Sequence, residues 1–343
     1  MTRAAIWLLS AGVLLFAGVL ISQGLTAVFA TLAVAGWGLP LVALLHLVPL
    51  ALDAASIRMM FDTTQVRATL RDAILARWVG ESANSFLPAG PIGGPVVMVR
   101  YFLRHPRGRF GAQRCMSMRD AAAGVTVSTT LQTLAQIVFA MIGIALLGAH
   151  ASQGAEHSVR TALLIASSVL VVCLVGFYLM QRRGLFGGVM RAIARFGGKR
   201  DLSQVMSQAD AIDSSVHDAY GRTGRVAASF CLSLVGWLIG TAEAYVILQL
   251  LRFPVRWTDA LMLESLGQAI RAAGFAIPGS LGVQEGGYLL LAPLVGLRPE
   301  TALALSLAKR SREVLLGVPG LLYLHLSERG WRRRLAIYGT SIK

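Results

Sequence analysis

The chain has 343 residues, 55% of them hydrophobic and 14% charged, with a mean hydropathy of +0.63. A soluble domain needs a polar shell that this composition does not supply, so the expected class is an all-α, polytopic membrane helix bundle forming a single integral membrane domain over residues 1–343. The net charge of +15 would suit nucleic acid if it formed one face. It lies in the loops instead, which excludes that reading and points to the anionic headgroups of an inner leaflet.

A membrane-crossing helix needs about 20 mostly apolar residues. The first such window is 4–25. It follows Arg3 and is too long for the core of a signal peptide, although Ala33-Val34-Ala35 resembles a cleavage site. A second window covers 37–60. Residues 68–104 form a hydrophobic stretch broken by Pro and Gly, and full windows resume at 121–147 and 161–180. Residues 181–225 read as a cytoplasmic loop, with a basic amphipathic piece at 185–200 lying on the membrane surface and a polar, solvated piece after it. A window at 226–251 precedes a second broken stretch, 258–297. The last window is 301–326, followed by a basic tail, 327–343.

The loops orient these windows. Ten Arg and no Lys occur from Arg58 to Arg119, eight Lys or Arg from Arg182 to Arg225, and the tail adds Arg329, Arg332, Arg333, Arg334 and Lys343. The connections 26–36 and 148–160 are nearly uncharged. The excess of basic loops on one side predicts cytoplasmic N- and C-termini in a bacterial inner membrane. Cys115, Cys173 and Cys231 have no metal-ligand spacing and read as structural.

The two broken stretches resemble each other. In each, a polar set at spacings of four and then three, Arg77, Glu81 and Asn84 in one and Glu264, Gln268 and Arg271 in the other, lies on one helix face ahead of a turn. The first turn holds Pro88, Gly90, Gly93 and Gly94, and Gly94-Pro95 suits the start of a new helix. The second holds Pro278, Gly279 and Gly282, with Ser280 or Gly282 as its cap. Each stretch reads either as a re-entrant hairpin or as a kinked span. As hairpins with three full spans between them, the first opens from the cytoplasm and the second from the opposite face, the pattern of an inverted repeat with broken helices.

Charges inside the membrane mark a pathway or a partner. Asp53, Glu81, Glu243, Glu264, Arg271 and Glu285 fall in or beside apolar segments. In the last window Lys309, Arg312 and Glu313 make one polar stripe, with Arg310 to its side. Two readings stand. The stripe is an internal ion-pair network closed by Glu313 and by Glu264 or Glu285, or its three cations hold a lipid phosphate, which Arg matches in bidentate fashion. Gln284 and Glu285 fall in the first turn after Gly282, where the helix dipole favours a carboxylate. Asn84 suits capping of freed backbone, and Arg100 with Arg104 could meet headgroups at a cytoplasmic mouth. His46 and His325 read as interfacial or packed. The six histidines form no cluster, and no recognised hydrolase, zinc or nucleotide motif occurs, so neither catalytic residues, metal nor cofactor is expected.

At "ESANSFLPAGPIGG" (81–94), "RAAGFAIPGSLGVQEGGY" (271–288) and "LAKRSREVLLGVPGLLYL" (307–324) the sequence resembles the flippase-like integral membrane family named after the transmembrane region of lysylphosphatidylglycerol synthase, and looks closest to a subgroup associated with hopanoid biosynthesis. The resemblance implies a lipid-handling domain that moves hopanoid, anionic phospholipid or a precursor between leaflets, passively or coupled to ions. It implies membrane lipids as partners and no nucleic acid. Larger relatives add a cytoplasmic aminoacyl-transferase domain. After Leu326 only a short basic tail remains here, so lipid aminoacylation is not expected. A lipid-modifying intramembrane enzyme and a non-catalytic partner of hopanoid-synthesis enzymes are the rival expectations.

Overall fold

The structure, a computed structural model, describes residues 33–61, 68–86, 93–104, 116–151, 203–274 and 277–338, with isolated positions 26 and 30. The windows 4–25 and 161–180, the piece at 185–200, and Pro88 and Gly90 lie outside the described residues. Among those described there are nine α-helices and no strand. They are α1 (Gly38–Met60), α2 (Leu70–Phe86), α3 (Gly93–Arg104), α4 (Met118–Ala151), α5 (Ser203–Gly221), α6 (Thr223–Leu250), α7 (Trp257–Ala273), α8 (Val283–Leu291) and α9 (Pro299–Tyr338). A helix is the form in which a chain crosses lipid, because it satisfies its own backbone donors and acceptors.

Three of them, α1, α4 and α6, are long and apolar enough to cross a membrane. Helix α9 is longer still at 40 residues, and its charged turns are what set it apart from those three. Helices α1 and α6 run antiparallel, with Gly38 against Leu250 at one end. Towards the other, Ser56 Oγ lies 2.6 Å from Ser229 Oγ and 3.1 Å from Ser233 Oγ. Small residues permit this close approach where lipid gives no hydrophobic drive between helices.

Both broken stretches fold as antiparallel helical hairpins. In the first, α2 and α3 pair Gly80 with Met98 and Asn84 with Gly94. In the second, α7 and α8 pair Gly267 with Tyr288, Ile270 with Gly287 and Gly274 with Val283. At 1.5 Å per residue the 12 described residues of α3 and the 9 of α8 span about 18 and 14 Å, against a hydrocarbon core of about 30 Å. Among the described residues α3 begins at Gly93. Gly282, not Ser280, caps α8: Gly282 sits at φ 78°, and its N–H donates to Glu285 Oε2 at 2.8 Å.

Helix α9 is the rail on which both hairpins lie. Along its N-terminal half Ser306 meets Gln284 and Glu285, and Arg310 meets Gly279 and Ser280. Further on, Gly317 faces Phe86, Gly320 faces Ser82, the Tyr323 ring stacks on Trp78, and Glu328 meets Arg104. The hairpins therefore approach from opposite ends of α9 and meet tip to tip, Gly279 standing against the Ser85 carbonyl. Trp78 Nε1 donates to the Leu316 carbonyl at 2.8 Å, in the turn before Pro319, where proline loosens the helical ladder.

Apolar cores close the two ends. One joins α6, α7, α8 and α9 around Leu248, Leu263 and Leu305. The other joins α1, α2, α3 and α4 around Ile57, Val79 and Phe102. Helix α5 corrects one expectation. Residues 203–221 are not simply solvated, because Val216 and Ala219 pack with Met60, Ala123 and Val127, fixing this amphipathic helix to the bundle.

Candidate functional site

Between the two cores, at the hairpin tips, lies a cavity of about 510 Å³. Its wall is drawn from α1, α2, α3, α4, α6, α7 and α9 together with the 277–280 turn. A cavity of this size, lined by charged and polar side chains among apolar ones inside an apolar bundle, is the feature that needs a function, since membrane-embedded polar groups are costly unless partnered.

The opening problem of the sequence, cations in the middle of the last span, is resolved by carboxylates from other helices. Lys309, 1% exposed, donates to Glu264. Arg310 holds Glu285 through Nε at 3.1 Å, and its Nη atoms donate to the carbonyls of Gly279 at 2.6 Å and Ser280 at 3.1 Å. It thereby staples the broken second hairpin, whose backbone would otherwise be left unsatisfied in lipid. Arg312 Nη1 donates to Glu243 Oε2 at 2.6 Å. Glu313 accepts from Arg271 and Arg310, and Arg271 also donates to Gln284 at 3.0 Å. The ion-pair network is present, and it is compatible with the headgroup reading, because the same carboxylates can hold the cations while a headgroup is absent. The cation excess within residues 309–313 is a property of that segment alone, and tertiary partners neutralise it.

Glu81 and Asn84 both reach the cavity wall, as do Arg271, Arg312 and Glu313. Asn84 Oδ1 also accepts the Gly94 N–H at 2.7 Å, a cap across the first break. Gln284, Glu285, Lys309 and Arg310 stand behind the wall and brace it. Arg100 lies apart: it pairs with Glu328 at 3.0 Å beside Arg104, at the base of the first hairpin. Among the described residues no His, Cys, Asp and Glu group is arranged to hold a metal ion.

His46 corrects the sequence reading. It is neither interfacial nor merely packed, but stands at the centre of the site, with Nε2 2.8 Å from Glu81 and Nδ1 2.6 Å from Glu243. Asp53, seven residues along α1, takes Arg77 at 2.9 Å and the side-chain amide of Gln132. Thr129, Gln132, Thr133 and Gln136 line the cavity from α4. Their spacing of three, one and three inside an apolar span puts them on one helix face, a signal available in the sequence and not used. Trp237 closes that side, its ring stacked on Phe139 at 5.8 Å.

Fold and site together define an integral membrane protein built on two opposed helical hairpins around a charge-lined internal cavity. The sequence model described as "Lysylphosphatidylglycerol synthase TM region" matches residues 7–320, and the chain belongs to that family. Searches of curated protein sequences and of solved structures each return no match.

Proposed function

We propose that the protein is a lipid translocase of the bacterial inner membrane, passing a headgroup through the cavity while the tails stay in lipid and leaving the lipid chemically unchanged. The observation that carries this reading is the charge-lined cavity at the meeting point of two opposed hairpins. Hairpins that open from opposite faces leave only a thin barrier at their tips, and small displacements of either would expose the cavity to one side or the other. On this reading the hairpins are re-entrant, both termini are cytoplasmic, and the family membership makes membrane lipid the cargo class. Hopanoid, anionic phospholipid or a precursor of either is the proposed cargo. The cations Arg271 and Arg312 can receive an anionic headgroup only by exchanging it for Glu313 or Glu243, so binding would open the network and couple headgroup arrival to helix movement.

The test is movement of fluorescent phospholipid and hopanoid analogues across proteoliposomes, read by quenching of the outer leaflet, with mass spectrometry of the same lipids. Quenching beyond the half accessible in empty vesicles, with masses unchanged, is the expected result. Changed masses would favour a lipid-modifying enzyme. No movement and no change of mass would leave a partner of lipid-synthesis enzymes as the better reading.

A further inference from the structure

The charge cluster around the cavity does not balance by itself. Its carboxylates are Asp53, Glu81, Glu243, Glu264, Glu285 and Glu313; its fixed cations are Arg77, Arg271, Lys309, Arg310 and Arg312. One negative charge is left over, and His46 is the group placed to meet it.

The hydrogen bonds lead to the same conclusion independently. Both imidazole nitrogens face carboxylate oxygens, Glu81 Oε1 at 2.8 Å and Glu243 Oε1 at 2.6 Å. Each contact needs a proton, and a neutral imidazole carries one. With Nδ1 bonded to Glu243 rather than accepting from Arg312, the Glu81, His46 and Glu243 chain holds a second. Glu243 already accepts from Arg312 at its other oxygen, which keeps it ionised, so the second proton sits on the ring.

Arg312 registers that proton. Its Nη1 lies 2.7 Å from His46 Nδ1 as well as 2.6 Å from Glu243. Nδ1 cannot donate to Glu243 and accept from Arg312 at once. With the proton it bonds Glu243, and Arg312 is held by the carboxylate alone. Without it, Nδ1 accepts from Arg312, and the cluster is left with a net negative charge beside the cavity. The groups facing the ring are Glu81 and Arg77 from α2, Glu243 from α6, Arg312 and Glu313 from α9, and Asp53 on α1 itself. Lys309 with Glu264 forms the next pair out.

Exposure gives the proton a route. All three side chains line the cavity, and Glu81 is the most exposed at 29%, against 12% for His46 and 3% for Glu243. We propose that Glu81, His46 and Glu243 form a proton-binding site in exchange with the cavity, and that proton occupancy is linked to headgroup occupancy through Arg312. The linkage to transport rests on the translocase reading; the proton site does not. Two ligands that change the same network are coupled in both directions.

Two measurements separate these claims. The first is lipid movement in proteoliposomes carrying internal pyranine, with and without an imposed pH gradient. One coupled proton allows up to about a tenfold change in rate per pH unit, with a pyranine signal that requires lipid. His46→Gln, checked for a monodisperse gel-filtration profile, is expected to lose the response to the gradient. Movement in the wild type that ignores the gradient, with no pyranine signal, overturns the coupling and leaves the translocase standing. The second is the ¹⁵N spectrum of histidine-labelled protein in nanodiscs, with His46 assigned by its absence in His46→Gln. Two protonated ring nitrogens at neutral pH are expected, and Glu81→Gln is expected to shift that signal. A singly protonated ring at neutral pH overturns the proton site whether or not lipid moves.

Discussion

Lys309 shows how tightly single residues are tied to partners far away in sequence. Its ammonium is buried against Glu264, and Glu264 in turn accepts from Gln268 at 2.8 Å and lies 3.3 Å from the Tyr288 hydroxyl. Removing one member of a buried pair strands the other, at about 3–5 kcal/mol, whereas replacing both with neutral groups of similar shape is often close to neutral. Lys309→Met is therefore expected to lower the thermal midpoint in detergent sharply, and adding Glu264→Gln is expected to restore most of it. A double variant no more stable than the single would show that the pair does not carry that energy. At this scale helical periodicity showed that Lys309, Arg312 and Glu313 share a face, and it proposed Glu264 and Glu285 as partners. It could not pair the stripe with His46, or with Glu243, which stands out only as a charge in an apolar segment, because a period identifies a face and not what stands opposite. Nor could it reveal that the local cation excess is cancelled by carboxylates from three other helices.

At the scale of elements, the breaks were legible because proline and glycine interrupt the hydrophobic period, but the tip-to-tip meeting was not, since nothing local encodes which turn faces which. Gly279 carries that meeting. It holds φ at 64°, and a Cβ there would stand 3.3 Å from the Ser85 carbonyl. Gly286, on α8, has an ordinary φ and open space where a Cβ would go. Gly279→Ala is expected to cost about 1–2 kcal/mol for the left-handed backbone, and more if Ser85 cannot yield. Gly286→Ala is expected to be neutral or to stabilise by about 0.5–1 kcal/mol through helix propensity. Paired melting curves in one detergent compare them directly. Equal midpoints would mean that the turn does not need the conformation it adopts. The packing of the amphipathic α5 was hard to read for a related reason: among its described side chains the buried ones are Val216 and Ala219, with Ile212 and Tyr220 at their margin.

For the whole molecule, the distribution of arginine and the geometry of the hairpins make one joint prediction. The base of the first hairpin carries Arg71, Arg100 and Arg104, close to the end of α1 with Arg58 and the start of α6 with Arg222 and Arg225, and Arg225 reaches the Phe61 carbonyl at 3.3 Å. The base of the second lies at the other end of the bundle, by the close of α6 and the start of α7, where Tyr245 packs on Trp257 at 5.5 Å, an aromatic pair of the kind that favours a membrane interface. Basic residues gather at the first of these ends, so the orientation proposed above puts it on the cytoplasmic side. Arg71→Cys and Arg298→Cys, each introduced after Cys115, Cys173 and Cys231 are replaced by Ser, are expected to react with a membrane-impermeant maleimide from opposite sides: Arg71→Cys in inverted vesicles, Arg298→Cys in intact spheroplasts. Labelling of both from one side would mean that the hairpins open to the same face, and the barrier at their tips could not then separate two compartments. Labelling from opposite sides but in the reverse sense would keep the opposed hairpins and invert the membrane orientation, leaving charge at the loops as the weaker guide.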